Sequence, residues 1–256
     1  SCKDEIVKNL RKVMEEVLRP ENFCVSYTGE RESLDVVKAQ AAGIKKVLFN
    51  GQKPEPVKQA PCIKKNEAFK TSGQVQYVAQ NGNFRKKGLE YTGALEILKV
   101  ILSYDYLWIN LRVKGGAYGC MSGFKRNGES FLVSYRDPHL KRTLEVYQGV
   151  PDYIRAFEAD EREMTKYIIG TISNKDVPRT PQMQGSISKT AYFSNVTEDM
   201  LQKERNQILG AQKEDIQKLA ALVEAVLSDD QICVVGSETA IEKAEDVFME
   251  VKPLIG

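Results

Sequence analysis

The sequence predicts an α+β domain, an antiparallel sheet with helices packed on one face, preceded by the clipped helix-strand-helix end of a homologous domain. Three observations predict this fold. Runs with strand periodicity and an Asn-Gly hairpin signal lie before residue 137, and amphipathic helices dominate after it. In addition, a helix-strand pattern near the beginning of the chain recurs near its end.

The first 50 residues have the pattern of a helix, a strand and a second helix. Apolar residues between positions 4 and 18 recur at three-and-four spacing, and Pro20 ends this helix. The run Phe23–Tyr27 is rich in strand formers, which predicts a strand. The second helix follows Thr28-Gly29 and carries the apolar residues Leu34, Val36, Val37 and Ala41.

The end of the chain repeats the first helix and strand at one constant offset. The aligned positions are Leu10 with Leu219, Val13 with Leu222, Met14 with Val223, Val17 with Val226, Leu18 with Leu227, Phe23 with Ile232, Cys24 with Cys233 and Val25 with Val234. Any two amphipathic helices share a period, but an equal loop length and a shared Cys-Val pair indicate an internal repeat.

The repeat predicts two domains. We expect residues 1–57 to be the carboxy-terminal end of one domain plus a linker, and residues 58–256 to be a complete second copy. The stretch Asn50–Pro56, continued by Pro61, has the Gly/Pro-rich composition of a linker. The chain is therefore expected to be a fragment of a longer protein.

The second domain is predicted to begin with a strand and a long helix. Residues Gln74–Gln80 alternate with period two, and Asn81-Gly82 predicts a turn behind them. A largely buried helix is expected from about Gly93 to Val113. Gly115-Gly116 is predicted to end it.

A hairpin and several helices complete the prediction. Two strands, 118–125 and 130–136, flank the turn signal Asn127-Gly128. Helices are expected from Asp137-Pro138 to Pro151, from Asp160 with Glu163 as a capping-box pair, at 197–211 and at 213–228. The stretch from Val177 to Tyr192 is predicted to be a loop, either a plain surface connection or a segment that touches a ligand.

Composition excludes several classes of function. The formal net charge is +2 over 256 residues, and the basic residues form short pairs without a long stripe, which disfavours nucleic acid as a partner. No long apolar run or signal peptide is present, so we expect no membrane partner. Five scattered cysteines suit free thiols, and with His139 as the only histidine the sequence predicts no metal site.

One segment brings polar side chains and glycines together. Arg112 ends the long helix and Tyr118 begins a strand, while Gly115, Gly116 and Ala117 connect them. A guanidinium and a phenol that converge on one point suit a carbonyl oxygen that gains negative charge. An ordinary structural interpretation stays open, in which the arginine complements the helix dipole, the glycines form a cap and the tyrosine is half-buried.

The run Leu111–Gly119, Leu-Arg-Val-Lys-Gly-Gly-Ala-Tyr-Gly, resembles the signature in the carboxy-terminal domains of presequence proteases. These belong to the pitrilysin/insulinase-type inverzincin metallopeptidases. The resemblance extends to the preceding helix, to the hairpin that ends in Tyr135-Arg136-Asp137-Pro138 and to the closing helix-strand-helix unit, and covers most of residues 60–256.

The resemblance implies that this chain is the substrate-clamping half of a zinc endopeptidase that degrades unfolded peptides in a closed chamber. The Zn²⁺ would be held by a His-x-x-Glu-His motif in the amino-terminal half of the same enzyme, and this chain would be inactive alone. By the same resemblance, Arg112 and Tyr118 bind the substrate carbonyl, and Gly115, Gly116 and Ala117 line the substrate. The implied compartment is a bacterial cytoplasm or an organelle matrix.

Two other functions stay open. One is a catalytically dead scaffold of the same fold, and the other is a peptide-binding module that accepts a strand at a sheet edge. Acid/base chemistry by Asp160, Glu161 and Glu163 is disfavoured because acidic first turns complement the helix dipole. Cysteine-protease chemistry at Cys120 is disfavoured because no histidine lies nearby in the sequence.

Overall fold

A computed structural model of the protein describes residues 2–52 and 63–254. The chain divides into two compact units, the first formed by Ser1–Pro61 with Pro178–Thr197, and the second by Cys62–Val177 with Glu198–Gly256. Most of the predicted linker, and the predicted boundary between residues 57 and 58, lie outside the described residues.

The first unit contains three α-helices among its described residues, α1 (Cys2–Val17), α2 (Leu34–Val47) and α7 (Pro181–Phe193). The two helices predicted before residue 50 are therefore confirmed. The predicted strand Phe23–Tyr27 is wrong, because this stretch forms no strand ladder. Strand formers make a strand only where a neighbouring strand accepts their hydrogen bonds, and the described part of this unit supplies none.

The two copies of the sequence repeat differ in burial. On α1, Leu10 and Met14 are 59% and 56% exposed, whereas their counterparts Leu219 and Val223 are 4% and 1% exposed. The apolar face of α1 therefore has no covering layer among the described residues, whereas the second copy is packed into a core.

The predicted loop between Val177 and Tyr192 is mostly wrong, because α7 occupies it. The Thr180 hydroxyl accepts a hydrogen bond from the Met183 N–H, and Pro181 stands in the first turn. Proline is tolerated there because the first N–H groups of a helix have no partner within it. The Thr-Pro pair is thus a helix start rather than a loop signal.

The second unit is built on one sheet of six strands in the order β3-β4-β2-β5-β1-β6. The strands are β1 (Glu67–Thr71), β2 (Gln76–Asn83), β3 (Gly119–Phe124), β4 (Glu129–Asp137), β5 (Gln231–Ser237) and β6 (Glu250–Pro253). The α+β class is confirmed. The sheet is antiparallel from β3 to β5, as predicted, but β1 pairs in parallel with both β5 and β6.

The sheet has one covered and one open face. Along β2, Val78 and Gln80 are buried while Tyr77 and Asn81 are exposed, and β4 alternates in the same way. The turn predicted at Asn81-Gly82 is wrong, since both residues lie within β2 and pair with residues of β4. A side chain at Gly82 would place its Cβ 2.0 Å from the Val226 carbonyl oxygen, so glycine is required here for close packing rather than for a turn.

The long helix spans the predicted residues and packs one face into the core. It begins as α3 (Ala94–Ile101) and continues through π-helical turns at Leu102–Tyr106 and Trp108–Val113. Its buried face consists of Ala94, Leu95, Ile97, Leu98, Ile101, Leu102, Leu107 and Leu111.

The remaining α-helices of the second unit include those predicted, but the helix predicted at 213–228 is divided into two, and a short helix at Val150–Arg155, with Pro151 in its first turn, was not predicted. They are α4 (Lys141–Gln148), α5 (Val150–Arg155), α6 (Glu161–Lys175), α8 (Glu198–Leu209), α9 (Lys213–Gln217), α10 (Ala220–Leu227) and α11 (Glu238–Glu242). The predicted capping box is confirmed: the Glu163 N–H donates to Asp160 Oδ1 at 2.8 Å, and the Asp160 N–H donates to Glu163 Oε2 at 3.0 Å.

Two buried carboxylates hold separate parts of the second unit together. Asp229 accepts hydrogen bonds from the backbone N–H that ends β2, from Lys64 Nζ at 3.0 Å and from Lys86 Nζ at 3.2 Å. Glu204, on α8, accepts two hydrogen bonds from the Arg126 guanidinium, at 2.5 and 2.6 Å. Bidentate pairing of this kind fixes the orientation of both partners.

Candidate functional site

The predicted site residues meet at one corner of the sheet, where the long helix passes into the edge strand β3. Arg112 lies in the last π-helical turn, and Tyr118 directly precedes β3. The Tyr118 N–H donates to the Arg136 carbonyl oxygen at 3.3 Å, which ties this corner to the end of β4. π-helical turns are rare and often occur at functional sites.

Gly115, Gly116 and Ala117 shape the connection. Gly115 is buried, and a Cβ there would lie 2.4 Å from the Leu111 carbonyl oxygen, while Gly116 has a φ of +79°. The N–H groups of Gly116 and Ala117 donate at 2.9 Å to the carbonyl oxygens of Arg112 and Leu111. These N–H groups are therefore engaged in ending the helix.

Aromatic rings support the Arg112 guanidinium. Its Cζ atom lies 4.2 Å from the centroid of the Trp108 ring and 5.9 Å from that of Tyr118. Both ring faces attract a cation. Arg112 is exposed, Tyr118 is 59% exposed and Trp108 is 39% exposed, so the cluster faces solvent in this chain.

A second arginine joins the same cluster. The Cζ atom of Arg136 lies 5.4 Å from the Tyr118 ring centroid, and its side chain is exposed. The Tyr135 ring lies over Gly119, and its centroid is 5.7 Å from that of Tyr118. In the sequence, Arg136 is part of the hairpin end and Trp108 lies within the predicted long helix, and neither pattern shows that these side chains meet beside Tyr118 at the sheet edge.

The acid that directly follows Arg136 in the sequence is not paired with either arginine. Asp137 is 1% exposed, and its oxygens accept from the His139 N–H at 2.9 Å and the Thr143 hydroxyl at 2.7 Å. Over residues 2–52 and 63–254, neither Arg112 nor Arg136 forms an ion pair with a carboxylate. The corner therefore carries positive charge without an internal counter-ion.

The thiol beside this corner is unsuited to nucleophilic chemistry. The pKa of Cys120 is raised to about 11, chiefly because the thiol is buried; the Arg112 guanidinium lowers this pKa, and the Asp137 carboxylate raises it. A thiol with this pKa stays protonated at neutral pH, and the thiolate is the reactive form.

In the part of the chain that the structure describes, the donor groups do not fit a zinc ion. Within the described ranges, no three His, Cys, Asp or Glu residues lie close enough together to hold a metal. His139 is exposed and precedes α4, and its backbone N–H donates a hydrogen bond to the Asp137 carboxylate.

A separate cavity of about 840 Å³ lies at the other end of the sheet, between β1, α11 and β6, and contains none of the predicted residues. Both lysines that line it are paired with acids: Lys70 is 2.8 Å from a Glu242 oxygen and 3.4 Å from a Glu238 oxygen, and Lys252 is 2.6 Å from a Glu250 oxygen. No helix in the described ranges is both long enough and apolar enough to cross a membrane.

The fold is shared with solved peptidase structures. The chain is similar to pitrilysin with a TM-score of 0.50 and 17% identity, over 77% of this chain and 23% of that one. It is similar to the inactive domain of a peptidase from Pseudomonas fluorescens with a TM-score of 0.53 and 18% identity, over 88% of this chain and 52% of that one. At these identities the similarity shows the fold alone.

The sequence defines the family. Residues 66–238 match the family described as the PreP C-terminal domain, and the chain therefore belongs to it. The predicted resemblance to the carboxy-terminal region of presequence proteases, within the pitrilysin/insulinase-like metallopeptidases, is confirmed.

Two curated relatives cover different parts of the chain. Protein HypA of Clostridium perfringens is 42% identical over 99% of this chain. Presequence protease 1, chloroplastic/mitochondrial, of Arabidopsis thaliana is 34% identical over 73% of it. The chain spans only 26% of the first relative and 18% of the second.

Proposed function

We propose that this chain is the substrate-contacting carboxy-terminal part of a zinc endopeptidase that cleaves unfolded peptides inside a closed chamber. The relatives include a presequence protease, and the chain spans a small part of their length. The Zn²⁺ belongs to an amino-terminal half of the same enzyme, which supplies the water activation. This chain supplies donors to the substrate and is inactive alone.

The observation that carries the proposal is the convergence of Arg112 and Tyr118 on one exposed corner. A guanidinium and a phenolic hydroxyl both donate hydrogen bonds, and both stand where another protein half can bring a peptide. Donors held in place before the reaction stabilise the negative charge that develops on the carbonyl oxygen. The substrate is lined by the backbone of Gly115, Gly116 and Ala117. This role depends on the shape of the backbone, because the N–H groups of Gly116 and Ala117 already donate to carbonyl oxygens of the preceding helix.

The first unit fits the same proposal. We take residues 1–57 as the end of a preceding domain that is homologous to residues 58–256. The exposed apolar face of α1, whose counterpart on α10 is buried, supports this division because an amphipathic helix needs an apolar partner surface.

The test is Tyr118→Phe in the full-length protein, with Tyr104→Phe as control, since Tyr104 lies in the long helix that precedes the site and is 71% exposed. Loss of one oxyanion donor is expected to lower kcat about 100-fold with a smaller change in KM. The control is expected to match the wild type. An unchanged kcat for Tyr118→Phe would remove this tyrosine from the proposal, and a wild-type protein with no peptidase activity would favour the scaffold.

A further inference from the structure

We propose that Arg112, in the last π-helical turn, and Arg136, near the end of β4, both of which lie beside Tyr118, form a receptor for a carboxylate group of the bound peptide. This inference rests on the proposed function and assigns the site a preference among substrates. A carbonyl oxygen is satisfied by one guanidinium and one hydroxyl, whereas a second guanidinium provides for a full negative charge.

The first support is the missing counter-ion. Four other arginines of the second unit pair with acids: the partners are Arg85 with Glu90, Arg126 with Glu204, Arg155 with Glu224 and Arg205 with Asp176. Arg112 and Arg136 have ring contacts instead, and no carboxylate within the described ranges pairs with them. Two like charges near one ring repel each other, and an incoming anion relieves that repulsion.

The second support is the backbone of Arg136. Three residues other than glycine have positive φ among the described residues, Arg136 at 49°, Asn195 at 52° and Asp230 at 46°. Asparagine and aspartate adopt this conformation readily, but a long side chain seldom does. Strained backbone conformations persist where the surrounding structure requires them, and they cluster at ligand sites.

The strained conformation also places the arginine. The Arg136 carbonyl accepts the Tyr118 N–H at 3.3 Å, so the backbone that carries one guanidinium is fixed to the backbone that carries the phenol. The buried Asp137 that follows is held by Thr143 and by the His139 N–H, which keeps its negative charge engaged within the turn. The site is thus charged and aromatic, and its parts are fixed by backbone contacts.

A peptide can present a carboxylate at its carboxyl terminus or on an Asp or Glu side chain, and the experiment separates the two. One unstructured, fluorescently labelled peptide is made with a free or an amidated terminus, and with Glu or Gln at one internal position. Binding to the full-length protein is measured by fluorescence anisotropy in the presence of a chelator, so that no cleavage occurs.

The expected result is that the wild type binds the preferred carboxylate form about tenfold more tightly than its neutral counterpart, as one charge-assisted contact allows. Arg136→Asn removes the guanidinium but tolerates the left-handed backbone, and it is expected to abolish this preference. Arg142→Gln is the matched control, because Arg142 donates to the Lys114 carbonyl and makes no ring contact among those described. It is expected to keep the preference.

Equal affinity of the wild type for all four peptides would overturn the inference, and so would a preference that survives in a folded Arg136→Asn protein. If that variant fails to fold, the wild-type comparison of charged and neutral peptides still decides. If Tyr118→Phe lowers turnover as expected but the wild type shows no carboxylate preference, this inference is refuted and the proposed function is not. A carboxylate preference with normal turnover in Tyr118→Phe would refute only the proposed role of the tyrosine.

Discussion

Gly115→Ala is expected to destabilise the second unit more than Gly116→Ala, although only Gly116 has a positive φ. A Cβ at Gly115 would lie 2.4 Å from the Leu111 carbonyl oxygen and 2.9 Å from that of Asn110. These are backbone atoms in the last π-helical turn and cannot rotate away. Overpacking against them is expected to cost about 3 kcal/mol.

The neighbouring substitution meets a different obstacle. At Gly116 the new Cβ would have an ordinary contact with Pro138 at 3.6 Å, so the cost comes only from the φ of +79°. Placing alanine in the left-handed region costs about 1 kcal/mol once the reduced freedom of the unfolded chain is included. The two variants should therefore differ by about 2 kcal/mol.

Urea denaturation of the chain, followed by circular dichroism, measures the difference through the transition midpoints at a common slope. Gly170→Ala is the control, because it lies inside α6 and its Cβ would approach only Val100, at 3.9 Å. It is expected to stabilise by about 0.5 kcal/mol or more, since glycine is unfavourable inside a helix. A Gly115→Ala variant as stable as the wild type, or more stable than Gly116→Ala, would refute the reasoning.

Three further predictions concern buried charges and thiols. Arg126→Ala is expected to destabilise by about 3 kcal/mol, because Glu204 is 7% exposed and would keep an unpaired charge. Burial raises the pKa of Asp229, but two lysines and a backbone N–H outweigh it and hold this pKa below its usual range. The wild type is therefore expected to have a larger free energy of unfolding than Asp229→Asn at pH values above the pKa of an unfolded aspartate, about 4. This difference is lost as the pH falls further. At pH 8, iodoacetamide is expected to modify the exposed Cys24 well before Cys120, whose thiol has a raised pKa.

Each of these has a measurement that decides it. Chemical denaturation compares Arg126→Ala with the double variant Arg126→Ala/Glu204→Gln. The double variant is expected to recover part of the lost stability, and no recovery would mean that the unpaired carboxylate is not the cause of the loss. Denaturation between pH 3 and 7 should show the gap for Asp229→Asn narrowing at low pH, and a constant gap would contradict the assigned pKa. Peptide mass mapping follows the alkylation, and early labelling of Cys120 would contradict its burial.

Local signals in the sequence were reliable where the structure they describe is itself local. The hairpin at Asn127-Gly128 was predicted correctly because the turn needs a left-handed residue, and Gly128 has a φ of +90°. The capping box of Asp160 and Glu163 closes within four residues. The segment from Arg112 to Tyr118 was recognised from consecutive residues, and the structure places both side chains at the same corner.

Predictions failed where a distant part of the chain decides the outcome. Asn81-Gly82 has the local pattern of a turn, but Asn81 pairs with Phe131 on one side and Gln231 on the other, so the strand continues through it. Phe23–Tyr27 has the composition of a strand, but no partner strand reaches it among the described residues. Strand formation depends on neighbours that composition does not reveal.

The sequence by itself determined the α+β class, the helices with a clear apolar period, the hairpin and the family motif, because each depends on residues that are close together in the chain. Only the tertiary structure decided the parallel pairing of β1 with β5 and the meeting of Arg136 with Tyr118. Strand order and side-chain clusters arise from contacts between residues far apart in sequence, and local periodicity carries no information about such contacts.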